Sequence, residues 1–388
     1  MRIGIDGSHW ENRRGFGRFT RNVVRKLAER PGETTYVLLI DEATAAAADL
    51  PAAAEHVIVR TTHDPLDGAR SGSYRSPLDV LRFTRAARGS RLDAMLFTTP
   101  YTWFPTPGIA TVLGIHDTIV DDLPTTALPS VSARVLWKTK QRLALRAAKR
   151  IFTVSKASRA ALARRYHLDP SSILIVPEAP DPVFRPLAHS DARALIAPFG
   201  VTPEKGFLLY AGGISPHKNV EGLVAAYASA VGERPDLPPL VVVGDLESEA
   251  YASSARSVRE RIALHDLRDR VLLPGFVSDE ALGALYSSAS VVVLPSLAEG
   301  FGLPAVEAAA CGAPVILSDL PSHRESLGAA GWFVPPGDTD ALARALLRLL
   351  DDPKLRARLA AETAAAVAHL TWDAAADMLD NMLAEVAG

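Results

Sequence analysis

The chain is short of most features that would mark a secreted, fibrous or membrane-spanning protein. Its 388 residues include a single cysteine, Cys311, which excludes an intrachain disulfide and suits a reducing compartment. No stretch approaches the ~18–20 apolar residues of a spanning helix. No basic segment followed by an apolar one opens the chain, where Met1-Arg-Ile-Gly-Ile-Asp6 reads as a strand, so no secretory leader is expected and a cytoplasmic location is. Aromatic residues make up only 6%, and alanine fills much of the remaining apolar content, which favours helices. A chain of this length is too long for one ordinary core and suits two domains.

Neither charge sign dominates overall, and the net charge is -2, but the halves differ. Residues 1–200 hold 28 Lys and Arg against 19 Asp and Glu; residues 201–388 hold 14 against 25. The two halves therefore face different partners, and nucleic acid is not an expected one. Arg134–Arg150 holds seven basic residues and no acid, with Val135, Leu136, Leu143 and Leu145 among them. This spacing reads as a helix. Its plain use is a solvated face; its functional use would be peripheral contact with anionic headgroups at the inner face of a membrane.

Short apolar runs alternate with helical patterns throughout. Ile3–Asp6, Tyr36–Ile40, Val57–Arg60, Ala94–Phe97, Thr111–Ile115, Ile151–Val154 and Ile173–Val176 are expected strands. The rhythm restarts with Leu208–Ala211, Leu240–Val243, Val271–Leu273, Val291–Leu294 and Val315–Leu317. Strand, helix, strand at this spacing means parallel sheets covered on both faces. Val176–Pro186 contains four prolines and breaks the pattern, so two doubly wound α/β domains are expected, over 1–186 and 187–370. Asp338 and Asp340 resemble a DxD metal motif, but they follow Pro335-Pro-Gly337 and precede an apolar-periodic run, which is how a helix begins. Thr371 is expected to cap the last helix.

Four segments fall on strand-to-helix turns, where open parallel sheets bind ligands. Pro295-Ser-Leu-Ala-Glu-Gly-Phe-Gly-Leu-Pro-Ala-Val-Glu307 leaves an apolar strand through Gly300 and Gly302. The amides of Phe301, Gly302 and Leu303 stand at a helix start and suit anionic or hydroxyl oxygen. Glu299 and Glu307 are poor phosphate ligands and suit vicinal hydroxyls. Tyr210-Ala-Gly-Gly-Ile-Ser-Pro-His-Lys-Asn219 is a second turn, where Gly213, Lys218 and Asn219 would cradle a phosphate. Gly15-Phe-Gly-Arg18 is a third; it lacks the further glycine of a dinucleotide fingerprint, so NAD is not expected. Thr111-Val-Leu-Gly-Ile-His-Asp117 is the fourth, ending a strand in His116 and Asp117.

Glutamate, seven residues, glutamate, with Gly-Phe-Gly-Leu-Pro between, resembles the donor-site signature of glycosyltransferase family 4, which are retaining enzymes of the GT-B fold. The resemblance extends over nearly the whole chain. It implies two Rossmann-like domains facing an interdomain cleft, with the C-terminal helix, residues 371–388, returning to an acceptor-binding N-terminal domain. It implies a nucleoside diphosphate sugar as co-substrate and no metal or other cofactor. By position, Glu299 would contact the transferred sugar and Glu307 the ribose. Lys218 would stabilise the leaving diphosphate, and His116 would lie near the reacting centre with Asp117 orienting it or the acceptor. Gly15, Gly17 and Arg18 would approach the donor phosphates. Gly275-Phe276-Val277 resembles the segment that reads the nucleobase, and Val154–Ser158 the family's serine turn. One departure stands out: many members carry an arginine where this chain has Gly212, so a second cation, from Arg18 or His217, must substitute or be absent.

Members with this N-terminal turn are often mannosyltransferases of cell-surface polysaccharide synthesis. GDP-mannose is therefore the first expected donor, with UDP-glucose or another UDP- or dTDP-sugar behind it. The acceptor, a glycan or lipid-linked molecule, would be chosen by loops around Thr62–Pro77 and Thr98–Pro107. Same-face transfer through an oxocarbenium-like state is expected, because the pattern supplies no carboxylate nucleophile of the kind retaining glycosidases use. A sugar-nucleotide epimerase of similar architecture, or a non-catalytic binding protein, are the rival expectations.

Overall fold

Runs such as Val291-Val-Val-Leu294 and Leu240-Val-Val-Val243 are apolar on every residue, so as strands they need cover on both faces, which parallel sheets with flanking helices provide. The computed structural model, which describes all residues except 13–14, 63–74, 124–127, 129 and 247–251, contains two such sheets. The chain divides into unit 1, Met1–Glu178 with Thr371–Gly388, and unit 2, Ala179–Leu370. The division falls inside the proline-rich stretch.

Unit 1 holds β1 (Arg2–Asp6), β2 (Thr35–Asp41), β3 (Glu55–Val59), β4 (Ala94–Phe97), β5 (Ala110–Gly114), β6 (Ala148–Thr153) and β7 (Ile173–Ile175). They lie side by side in the order β3-β2-β1-β4-β5-β6-β7, all parallel. Unit 2 holds β8 (Leu208–Ala211), β9 (Leu240–Val243), β10 (Val271–Gly275), β11 (Val291–Leu294), β12 (Val315–Ser318) and β13 (Trp332–Val334), in the order β10-β9-β8-β11-β12-β13. These too are parallel. The strand order reverses between β1 and β4 in one sheet and between β8 and β11 in the other. The carboxyl edge at such a reversal is where open parallel sheets bind ligands.

Two features differ from the sequence expectation. β13 is an added edge strand: Trp332, Phe333 and Val334 pair with Ile316, Leu317 and Ser318. Three residues between Gly331 and Pro335 are too few to show an alternation. The basic stretch Arg134–Arg150 is not one helix. The helix Val131–Ala147, capped by Ser130, ends before Lys149 and Arg150, which lie in β6. Trp137, Gln141 and Ala144 turn inward on it, whereas Val131, Val135, Leu136 and Leu143 are exposed.

The C-terminal helix Trp372–Ala387 belongs to unit 1. Thr371 Oγ1 caps it by accepting from the Ala374 amide at 3.2 Å. Trp372, Ala375, Ala376, Leu379, Met382, Leu383 and Val386 form its buried stripe, at helical spacing. Trp372 meets Phe19 edge-on at 5.6 Å, and Phe19 belongs to the helix Gly15–Ala28 that leaves the first glycine turn. Tyr36 donates to Asp380 at 2.7 Å, and Arg30 pairs with Asp377 and Asp380. The chain's end thus clamps the helix that opens unit 1.

Leu379 is fully buried on that stripe. Leu379→Ala should therefore cost about 2–5 kcal/mol in unfolding of unit 1. Urea titration followed by hydrogen exchange in β1 and β2 would measure it; exchange unchanged there would mean that the helix does not support the sheet.

Candidate active site

In unit 2 the loops after β8 and β11, neighbours at the reversal of strand order, are tied together. β8 ends in the Gly212–Gly213 turn, whose shape is held by Tyr210 Oη donating to the Gly213 carbonyl at 2.7 Å. A short 3₁₀ turn, Pro216–Lys218, follows. Asn219, at φ +54°, then reverses the chain into the helix Val220–Glu233, using the left-handed tolerance of asparagine. Lys218 Nζ donates to both oxygens of Glu299, at 2.7 and 2.8 Å. Asn219 Nδ2 reaches the Pro295 carbonyl at 3.3 Å, and the Leu297 amide donates to the His217 carbonyl at 2.7 Å. Four hydrogen bonds, two of them within one ion pair, therefore set the spacing of the two loops.

Glu299 also accepts from Ser296 Oγ at 2.7 Å. Burial by itself would raise its carboxyl. The charge of Lys218, that of His323 once it is protonated in acid, and the hydrogen bonds from Lys218 and Ser296 overcome this and bring it down to about 2. The carboxylate is thus charged and multiply held, the condition under which a buried ion pair is tolerated. Beyond it, Gly302 stands at φ +90° as the N-cap of the helix Leu303–Ala310, and no side chain caps that first turn. Any Cβ at Gly302 would fall 2.7 Å from His323 Cδ2, so both conformation and space demand glycine. Gly300, Phe301 and Leu303 are buried around the turn, and Glu307 is buried further along the helix. At the end of β10, Gly275 takes φ +76°, Phe276 is 51% exposed and Val277 is buried.

Unit 1 gathers the other expected residues. Gly17 lies on the helix after β1, where a Cβ would strike the Asn12 carbonyl oxygen at 1.9 Å; its neighbours Gly15 and Arg18 share that first turn. His116, two residues past β5, donates from Nε2 to the Thr98 carbonyl at 3.0 Å, and its Nδ1 lies 3.3 Å from Glu178 Oε1. Phe19 meets the ring edge-on at 4.9 Å. Both imidazole nitrogens are therefore engaged within the unit. Asp117 Oδ1 accepts the Ile119 amide at 2.8 Å. In the serine turn after β6, Ser155 caps the next helix by accepting from the Ser158 amide at 2.9 Å.

The structure adds residues that no motif had singled out. Ser296 and His323 join the Lys218–Glu299 pair. Ser296 stands three residues before Glu299, a spacing that could have signalled it; His323 comes from the helix Pro321–Leu327 after β12, and only the fold brings it near. In unit 1, Asp6, His9 and Arg75 form a buried polar cluster at the carboxyl end of β1. Arg75 donates to Asp6 at 3.2 Å and to Ser8, with its guanidinium 4.0 Å over the Phe83 ring. His9 Nε2 pairs with Thr20 and Thr98 at 2.9 and 3.0 Å. Burial lowers His9 to about 4, so it is neutral at pH 7. Among the described residues, no group of three or more His, Cys, Asp or Glu could hold a metal ion.

Residues 13–183 match the model of Glycosyltransferase Family 4, and residues 192–365 that of Glycosyl transferases group 1. The chain belongs to the group 1, family 4 glycosyltransferases. Within the family it is similar to the Escherichia coli O-antigen chain mannosyltransferase B, 31% identical over 59% of this chain and 58% of that one. The D-inositol 3-phosphate glycosyltransferase of Streptomyces scabiei is 32% identical over 64% of this chain and 56% of that one. The chain spans a little over half the length of these curated relatives. The fold is GT-B, shared with the Anabaena HepE structure solved with UDP and glucose at a TM-score of 0.78, 18% identity and coverage of 99% and 100%.

The state of Glu299 predicts an acid dependence of stability. Its folded carboxyl titrates well below the ~4.3 of an unfolded glutamate, so its stabilisation is fully present above that value and is lost as pH falls toward 2. Urea midpoints of unit 2 should drop over that window in the wild type and less steeply in Glu299→Gln. Parallel curves would refute the assignment.

Proposed function

We propose that the chain is a retaining hexosyltransferase that takes its sugar from a nucleoside diphosphate without a divalent metal. The observation that carries the reading is the Lys218–Glu299 pair, held across adjacent loops at the reversal of strand order in unit 2 and followed by an uncapped helix start at Gly302. A lysine on one loop and a helix N-terminus without a side-chain cap on the next suit a diphosphate. A carboxylate held ionised suits sugar hydroxyls, from which it accepts strong charge-assisted hydrogen bonds. Lys218 would turn from Glu299 toward the leaving diphosphate as charge develops there. The leaving phosphate takes the acceptor's proton on the same face, so the protein supplies position and electrostatics. Glu307 would hold ribose hydroxyls, and Gly275–Val277 would border the base.

GDP-mannose is the first donor in this reading, supported by similarity to an O-antigen mannosyltransferase; UDP-glucose is second, the Anabaena HepE complex having been solved with UDP and glucose. Residues 1–178 would select a glycan or lipid-linked acceptor, with the buried Asp6, His9 and Arg75 cluster shaping that surface. Of the acceptor loops expected from sequence, most of Thr62–Pro77 lies outside the described residues. Peripheral membrane contact is supported by the helix Val131–Ala147, whose exposed Val131, Val135, Leu136 and Leu143 stand among Lys138, Arg142 and Arg146. Among the described residues no helix is long and apolar enough to cross a membrane.

Thermal-shift screening of GDP-, UDP-, dTDP- and ADP-sugars should pick out one donor class, and a flat panel would defeat the reading. With that donor, Lys218→Ala should lower turnover ~10²–10³-fold, and turnover should survive EDTA. Glu307→Ala should weaken nucleotide binding by about 1.5–3 kcal/mol in calorimetry; unchanged affinity would remove its ribose role.

A further inference from the structure

His323 is buried completely beside the Lys218–Glu299 pair. Its Nδ1 lies 2.8 Å from the Ser318 carbonyl oxygen. A carbonyl only accepts, so Nδ1 carries a proton and donates it. Burial lowers the imidazole's affinity for a second proton, against the pull of Glu299 and the Ser318 bond. The ring is therefore neutral near pH 7, and Nε2 is a bare lone pair. That atom is buried and has no hydrogen-bond partner among the described residues. A buried acceptor left unmet costs free energy, and such a group in a native fold calls for a partner or a functional reason.

The position of the lone pair limits what can meet it. Nε2 lies 3.1 Å from the point where a Cβ on Gly302 would stand, so the bare α-carbon of this glycine lets the imidazole lie alongside the turn. Glu299 and Lys218 both bear on its protonation, the first favouring it and the second opposing it, so it belongs to the same group. The partner must be a donor. A diphosphate oxygen at neutral pH is itself an acceptor and would be repelled; a hydroxyl fits. Glu299, the neighbour of His323, is the carboxylate assigned to the transferred sugar, whereas Glu307 is assigned to the ribose.

Resting on the reading of this turn as a sugar-nucleotide site, we propose that His323 Nε2 accepts a hydrogen bond from a hydroxyl of the transferred hexose, beside Glu299. His323 is then a specificity residue. It requires a hydroxyl that donates, and it disfavours donors in which that hydroxyl is replaced by hydrogen or fluorine. Polar groups built for a substrate hydroxyl discriminate because the analogue leaves them unpaired.

The test compares binding of the bare nucleotide with that of its sugar, using GDP and GDP-mannose, and UDP and UDP-glucose, in calorimetry on the full chain. His323→Leu removes the lone pair; His323→Gln retains an amide oxygen that can accept in its place. The bare diphosphate should bind wild type and both variants alike. The further affinity contributed by the sugar should fall ~10-fold in His323→Leu and recover in part in His323→Gln. Deoxy donors should reproduce the loss in wild type at one hydroxyl and cause no further loss there in His323→Leu. A sugar contribution unchanged in His323→Leu, or an equal loss for diphosphate and sugar nucleotide, would overturn the proposal, the latter by showing that His323 only supports the turn. Should His323→Leu not fold, the deoxy series on wild type and His323→Gln decides: equal affinity for every deoxy donor and its parent sugar refutes it. Failure of wild type to bind any nucleoside diphosphate is a different result, which defeats the sugar-nucleotide reading itself.

Discussion

A parallel sheet covered on both faces leaves its edges for chemistry, and at the carboxyl edge the loops part where strand order reverses. In unit 2 that point lies between β8 and β11, and the Lys218–Glu299 ion pair spans it. The bond fixes the distance between the two loops that carry the glycine turns. It also brings a cation and an anion to one spot, each largely shielded from water. Ser296 and Lys218 hold the carboxylate ionised despite burial. A site arranged this way need not reorganise solvent before it meets a charged ligand.

The histidines of the two units are used differently. His116 has Nε2 bonded to the Thr98 carbonyl, and its Nδ1 faces the Glu178 carboxylate at 3.3 Å. His323 has one nitrogen occupied and one bare. His9 is buried among threonine hydroxyls, which can donate or accept as its tautomer requires. Histidine beside a strand end is thus not one signal but several, and the partner of each nitrogen distinguishes them.

Unit 1 owes its integrity to the end of the chain. The helix Trp372–Ala387 is amphipathic, and its stripe packs where Phe19 and the sheet would otherwise lie exposed. Its acids pair with Lys26 and Arg30 of the opening helix. The helix that places Gly17 after β1 is therefore supported by residues from the far end of the chain.

Much of this was legible in the sequence, because strand periodicity and turn glycines are local properties. Ala94–Phe97, Leu208–Ala211, Leu240–Val243 and Val291–Leu294 form strands with the expected bounds. The helix start at Leu303 and the caps at Asp338 and Thr371 follow from adjacent residues. The resemblance of Glu299–Glu307 to a donor signature likewise rests on a contiguous segment. β13 escaped because three residues carry no period, and the basic helix ran too long because lysine and arginine suit the end of a helix and the start of a strand alike. What only the tertiary structure decided is which charges meet. Lys218 and Glu299 are 81 residues apart, and His323 comes near them on the helix after β12. Hydrogen-bond partners separated by that much chain depend on strand order, and order across a sheet is set by packing rather than by any local pattern.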